Sequence, residues 1–153
     1  MLRSYAILMD GAFVLKRLKA RLKRHPTATD VVTESDRIRS LPVLGRLSLL
    51  RIDFYDAPPA TRLIRNPIDG QEINLGRTDV HRRCQALQDA LALTPDHALR
   101  LGETDVRGWW MNGRRIRSLV GLPHPRSLQP TDIEPDIQQK GVDLRIGLDI
   151  ARL

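Results

Sequence analysis

Cysteine is almost absent from this 153-residue chain: Cys84 stands alone, so no disulfide can form within it. That fits a reducing, cytoplasmic location. Aromatic residues make up only 4% of the chain, so a core has to be built mainly from Leu, Ile, Val and Ala. Long apolar runs are missing too. The N-terminal stretch Tyr5-Ala6-Ile7-Leu8-Met9 is cut by Asp10, too short for a secretion signal core or a membrane span. The histidines His25, His81, His97 and His124 are scattered without metal-ligand spacing. No Walker-type phosphate loop, nucleophile elbow, internal repeat or low-complexity tract occurs. These absences exclude a disulfide scaffold, a membrane protein and the common motif-bearing nucleotide enzymes.

Basic charge is what the chain has in excess. The formal charge is +7 and the isoelectric point about 10.5, carried largely by Arg. Guanidinium forks match phosphate oxygens, and a net positive field gathers polyanions, so nucleic acid is the expected partner. Solubility alone is the competing explanation for the surplus. At 41% apolar and 28% charged residues the composition is that of a globular protein, and the length suits a single domain over 1–153.

Hydrophobic periodicity predicts an alternation of strands and helices. Residues 4–9 read as a strand buried on both faces, ending at Asp10-Gly11. Over 13–24, Val14, Leu15, Leu18 and Leu22 recur at helical spacing opposite a basic face, and His25-Pro26 closes that helix. A weaker helix is expected over 30–40, and a second strand over 46–55, stopped by Asp56-Ala57-Pro58-Pro59. The residues up to Gly76 read as a loop. A helix over 79–93 follows, with Thr78 or Asp79 as N-cap. A short strand is expected over 98–101, a turn-rich connection over 102–108 and a return strand over 109–112. The prolines Pro123, Pro125 and Pro130 mark an irregular crossing, and a helix is expected from Asp132 through Gly141 to Leu153. This alternation argues for an α/β fold, a mainly parallel central sheet with helices on both sides.

Sites in open parallel sheets lie beyond the carboxyl ends of the strands, where Asp10 stands. A carboxylate there either ligates a hard cation or caps the following helix. On the last helix, at 100° per residue, Val142, Ile146, Ile150 and Leu153 form an apolar stripe. Asp149 falls within that stripe and Asp143 on its edge, while Leu144 and Leu148 lie opposite. A carboxylate inside an apolar face must be paired, hydrogen-bonded or metal-bound. Asp149 is thus either a site residue or a structural aspartate satisfied by backbone amides or an arginine. Trp109 and Trp110, set among Arg107, Arg114, Arg115 and Arg117, could stack bases and hold phosphates, or serve in packing. Cys84 falls on an apolar helical stripe and reads as packing.

Three stretches carry a resemblance. Residues 6–13, with Asp10-Gly11, resemble the first strand of NYN-domain proteins. Residues 50–59, with Tyr55-Asp56-Ala57-Pro58, are similar to their second strand. The stretch 139–150, with Lys140-Gly141-Val142-Asp143 and then Asp149, resembles their most recognisable motif. The NYN group, which includes LabA-like proteins, belongs to the PIN-like nucleases. The resemblance implies a PIN-like three-layer α/β sandwich whose clustered aspartates bind Mg2+ or Mn2+ and hydrolyse RNA phosphodiester bonds. Asp10 and Asp143 would be metal ligands, Asp149 a supporting acid, and Arg107, Arg114, Arg115 and Lys140 contacts to RNA. The chain departs from the pattern in two ways. Phe13 stands where many members have Asn, and the later Ser-Gly-Asp-Ser-Asp motif has no counterpart, so the C-terminal part of the domain is expected to be missing. A catalytically incomplete nucleic-acid-binding or regulatory module, or a protein-interaction subunit, is therefore the alternative to the ribonuclease, and a homo-oligomer remains open.

Overall fold

The computed structural model describes residues 3–153. In chain order the elements are β1 Ser4–Asp10, α1 Gly11–Leu22, α2 Ala28–Arg39, β2 Ser48–Asp56, β3 Leu63–Arg65, β4 Glu72–Asn74 and α3 Asp79–Ala92. They continue with β5 His97–Leu101, β6 Glu103–Trp110, α4 Gly113–Val120, β7 Glu134–Lys140 and α5 Val142–Ile150. The central sheet has the order β1-β2-β5 and is wholly parallel, with Asp10 opposite Tyr55 and Tyr55 opposite Arg100. The strands ending at Asp10 and near Tyr55 are thus neighbours, as the alternation predicts. Two antiparallel pairs, β3-β4 and β6-β7, accompany the sheet. No helix among the described residues is long and apolar enough to cross a membrane.

Strand periodicity distributes the core over two faces. Ile7 and Met9 of β1 and Ile52 and Phe54 of β2 point one way, onto Leu18, Val31, Leu87 and Leu91 of α1, α2 and α3. Ile52 and Phe54 have no exposed surface, and each such burial contributes about 1.5–3 kcal/mol. Leu8 and Tyr55 point the other way, onto Val142 and Ile146 of α5. Helices therefore cover both faces, with three on one side and α5 on the other.

Local chemistry sets the boundaries. Lys23 turns left-handed (φ 57°) and its amide bonds the Lys19 carbonyl, ending α1 ahead of Pro26. Asp30 accepts from the Thr27 amide at 2.7 Å and is clamped by the Arg24 guanidinium at 2.6 and 2.7 Å. That clamp holds its carboxyl far below the usual carboxylate range. Thr78 caps α3 by accepting from the His81 amide.

Three expectations are corrected. The stretch before Gly76 is not wholly loop: β3 and β4 form a small hairpin, its turn held by Asn66 accepting from the Ile68 amide and by Gly70 at φ 76°. Strands of three residues leave no periodic trace in the sequence. The stretch 102–108 is not a turn-rich connection, because β6 spans Glu103 to Trp110 and pairs with β7, with one register shift between Val106 and Gly108. The stretch from Asp132 is not one helix to Leu153. Residues Glu134–Lys140 are extended, and Gly141 at φ 75° separates them from α5. A left-handed residue breaks a right-handed helix, and a ribbon paired on only one edge, with both faces partly wet, needs no apolar alternation. α4, capped by Asn112 accepting from the Arg115 amide, occupies a stretch with no clear sequence signal.

Candidate functional site

Two close approaches bring the carboxyl end of the sheet together. A Cβ on Gly11 would lie 2.4 Å from the Tyr55 carbonyl oxygen and 2.9 Å from the Phe54 ring, so only glycine lets α1 start this near β2. A Cβ on Gly102 would lie 2.4 Å from the Lys140 carbonyl oxygen, which lets the end of β7 pass directly over the β5–β6 junction. The start of α5 is thereby carried to the strand ends beside the start of α1.

A cleft of about 240 Å3 opens there, lined by Asp10, Ala12, Gln139, Gly141, Val142, Asp143 and Leu144. Asp10 caps the following helix and also lines the cleft. Its Oδ1 accepts from the Phe13 amide at 3.2 Å, capping α1, and its side chain faces the cleft. Asp143 sits exposed in the first turn of α5, where the helix dipole favours a negative charge. Among the described residues, neither carboxylate lies within ion-pair distance of a cation.

Behind the cleft is a residue that sequence reasoning did not single out. Asp56, the last residue of β2, is buried, and carboxamides satisfy it: Gln139 donates to Oδ1 at 2.9 Å and Gln88 to Oδ2 at 2.8 Å. The same Gln88 group donates to the Ala57 carbonyl at 2.8 Å. Asp56 therefore orients Gln139, and Gln139 forms part of the cleft wall. The signal for it was its place at the end of a central strand, matching the place of Asp10 in β1.

Asp149 is not brought to the cleft. It is buried where α5 meets the sheet, accepting from the Tyr55 hydroxyl at 2.8 Å and pairing with Arg100 Nη2 at 3.2 Å. The Tyr55 hydroxyl, with Arg100 beside it, holds the Asp149 carboxyl below the usual range, while burial pushes the Tyr55 phenol up to about 12. Arg51 Nε bonds the fully buried Asp53 at 2.7 Å, and Arg100 Nε lies 3.6 Å from Asp53's other oxygen. Asp149 is thus satisfied by a tyrosine hydroxyl and an arginine, as an aspartate inside an apolar stripe requires, while Asp53 Oδ1 and Arg100 Nε are buried without a hydrogen-bond partner among the described residues.

The basic residues divide. Lys140 Nζ pairs with Asp105 at 2.6 Å across the ribbon, at the cleft end of β7. Arg107 lies 3.2 Å from the same aspartate. Arg115 lies 3.7 Å from Asp132, which Arg126 also holds at 2.7 Å. Arg114 is exposed on α4. No family model, curated protein or solved structure matches this chain. Among the described residues, no three His, Cys, Asp or Glu side chains converge as a metal-binding group. The cleft offers two carboxylates and a carboxamide-bearing wall, all hard oxygen donors of the kind that suit Mg2+ or Mn2+ rather than zinc or copper.

Proposed function

We propose that the chain is a NYN-type, PIN-like domain acting as a metal-dependent endoribonuclease in the cytoplasm, hydrolysing RNA phosphodiester bonds at the cleft between Asp10 and Asp143. The observation that carries this reading is that two carboxylates from opposite ends of the chain line one cleft at the carboxyl ends of parallel strands. The parallel β1-β2-β5 order with helices on both faces supports the PIN-like part of it.

Asp10 and Asp143 would hold the ion, since hydrated Mg2+ needs only one or two carboxylates and leaves its remaining positions to water and phosphate. When bound, the ion supplies an activated water and neutralises the phosphodiester under attack. The chain's own residues do the positioning. The Phe13 amide fixes the rotamer of Asp10, leaving its second oxygen for the cleft. Asp56 fixes Gln139, and the ribbon beginning beside the cleft carries Arg107 and Lys140, whose charge attracts the RNA backbone.

The test is cleavage of a labelled single-stranded RNA with Mn2+ and with EDTA. Asp10→Asn and Asp143→Asn should each abolish Mn2+-dependent cleavage while the thermal unfolding midpoint stays within about 2 °C of wild type, because neither carboxylate is a buried core group. Asn variants that cut like wild type would overturn the mechanism. The two-carboxylate donor set favours a second reading, a nucleic-acid-binding module without cleavage. Metal-independent binding with no cutting in Mn2+ would select it.

A further inference from the structure

A second concavity lies along the ribbon, away from the carboxylates. It measures about 270 Å3 and is lined by residues 62–65 of the hairpin and 106–109 of β6. Its polar lining is almost entirely cationic, with Arg62, Arg65 and Arg107 around one aromatic, Trp109.

The backbone explains why these groups meet. Strand pairing runs regularly from Glu103 opposite Lys140 to Val106 opposite Ile137, then skips to Gly108 opposite Asp136. Arg107 is the extra residue of a β-bulge, and Gly108 beside it takes φ 130°. A bulge bends its strand and re-aims the unpaired side chain, here Arg107, into the groove shared with β3. Arg62 crosses from the hairpin and donates through Nη1 to the Val106 carbonyl at 3.3 Å, leaving its other N–H groups for a ligand. The Thr104 hydroxyl donates to the Pro58 carbonyl, tying the ribbon to the segment before the hairpin.

Charge in the groove is only partly compensated. Arg65 pairs with Glu72 at 2.7 Å, but both are exposed, and such pairs are weak and screened by salt. Arg107 shares Asp105 with Lys140. Three guanidinium groups thus face two carboxylates, one of which a lysine also holds. The groove leads away from the carboxylate cleft along the ribbon. Val106 to Trp109 lie three to six residues beyond the Glu103–Lys140 pair, roughly 10–20 Å at strand rise.

We propose that the groove between β3 and the bulged segment of β6 is a single-stranded RNA subsite, with Arg62, Arg65 and Arg107 on phosphates and Trp109 against an unpaired base. Arginines grouped beside one aromatic residue are the elements of sequence-tolerant single-strand binding, and stacking requires an unpaired base. The proposal rests on the ribonuclease reading for its substrate class and extends it by routing the strand from the cleft onto the ribbon.

The experiment measures binding in EDTA, so that cleavage plays no part. The probe is a fluorescein-labelled 12-nucleotide oligouridylate, read by anisotropy across a salt series. Arg62→Ala and Arg107→Ala should each weaken binding about 5- to 10-fold and flatten the salt slope by about 0.7 per lost phosphate contact. Arg17→Ala, which removes the same charge from α1 outside the groove lining, should change affinity less than about 2-fold, because salt screens exposed charges that make no direct contact with the strand. In a Trp110→Phe background the oligonucleotide should quench the remaining Trp109 emission. A duplex of the same length should bind more weakly and leave that emission unchanged. Equal losses from the Arg17 and Arg62 variants, unquenched Trp109, or tighter binding of the duplex would each overturn the subsite. The two readings fail separately. Binding with no cutting in Mn2+ upholds the groove against the nuclease, whereas cutting by an Arg62→Ala/Arg107→Ala chain with unchanged affinity does the reverse.

Discussion

Replacing Gly11 with alanine tests how the site is assembled. The added methyl would stand 2.4 Å from the Tyr55 carbonyl oxygen and 2.9 and 3.0 Å from two Phe54 ring carbons. Tyr55 and Phe54 are fully buried in the central strand, so neither can swing aside, and the start of α1 has to back away from β2. Overpacking of this kind costs about 1–3 kcal/mol, and meeting a backbone atom puts this case toward the upper end. Alanine's better helix propensity returns part of that, at most about 1 kcal/mol. A net loss of ~2 kcal/mol should lower Tm by about 4–8 °C in a chain of this size. Gly147 provides the matched control. It lies within α5 with nothing close to an added Cβ, so the same change there should stabilise by about 0.5–1 kcal/mol. Calorimetry or circular dichroism melts of the two variants beside wild type give the comparison. Melting shifts of the same sign for both would refute the close-approach argument. Because Asp10 precedes Gly11, the displaced helix should also reduce Mn2+-dependent cleavage in the Gly11 variant and not in the Gly147 variant.

Tyr55→Phe removes the largest cause of Asp149's lowered pKa without changing core volume. A carboxyl held below its ordinary value adds stability above about pH 4, and that stability is lost as pH falls through its folded pKa. The gap in urea midpoint between wild type and Tyr55→Phe should therefore be full at pH 7 and shrink at pH 3; a gap that widens in acid would contradict the network. Burial, with Asp56 nearby, pushes the Cys84 thiol up to about 11, so it should react with a disulfide reagent at pH 8 on the order of 100-fold more slowly than a free thiol. Labelling at the free-thiol rate would show that helix α3 opens readily.

Legibility in the sequence followed the physics of each element. β1 and β2 are strands of the parallel sheet, so their apolar runs were visible, and with them the position of Asp10 at a strand end. Asp149 was visible as a carboxylate needing satisfaction, but its partners were not: Tyr55 and Arg100 come from two other strands, and only the folded register aligns them. The ribbon β6–β7 was misread because a strand with two wet faces has no apolar period, and Glu134–Lys140 is mostly polar. Arg62 and Arg65 gave no signal as groove residues, since only the hairpin brings them beside Arg107. Asp143 was legible as the edge of a stripe, but its nearness to Asp10 depends on Gly102 and Gly141, which set where α5 begins.

The position of β1 at the margin of the parallel sheet has a consequence for handling the protein. Its outer row of amides and carbonyls has no strand partner among the described residues, and Tyr5 to Met9 holds neither charge nor proline. Bare margins of this composition template the addition of further extended chain, and proteins usually guard them with lysine or proline. Concentrated solutions should therefore tend toward sheet-to-sheet growth through β1. Salt, by screening the +7 charge that keeps copies apart, should hasten it.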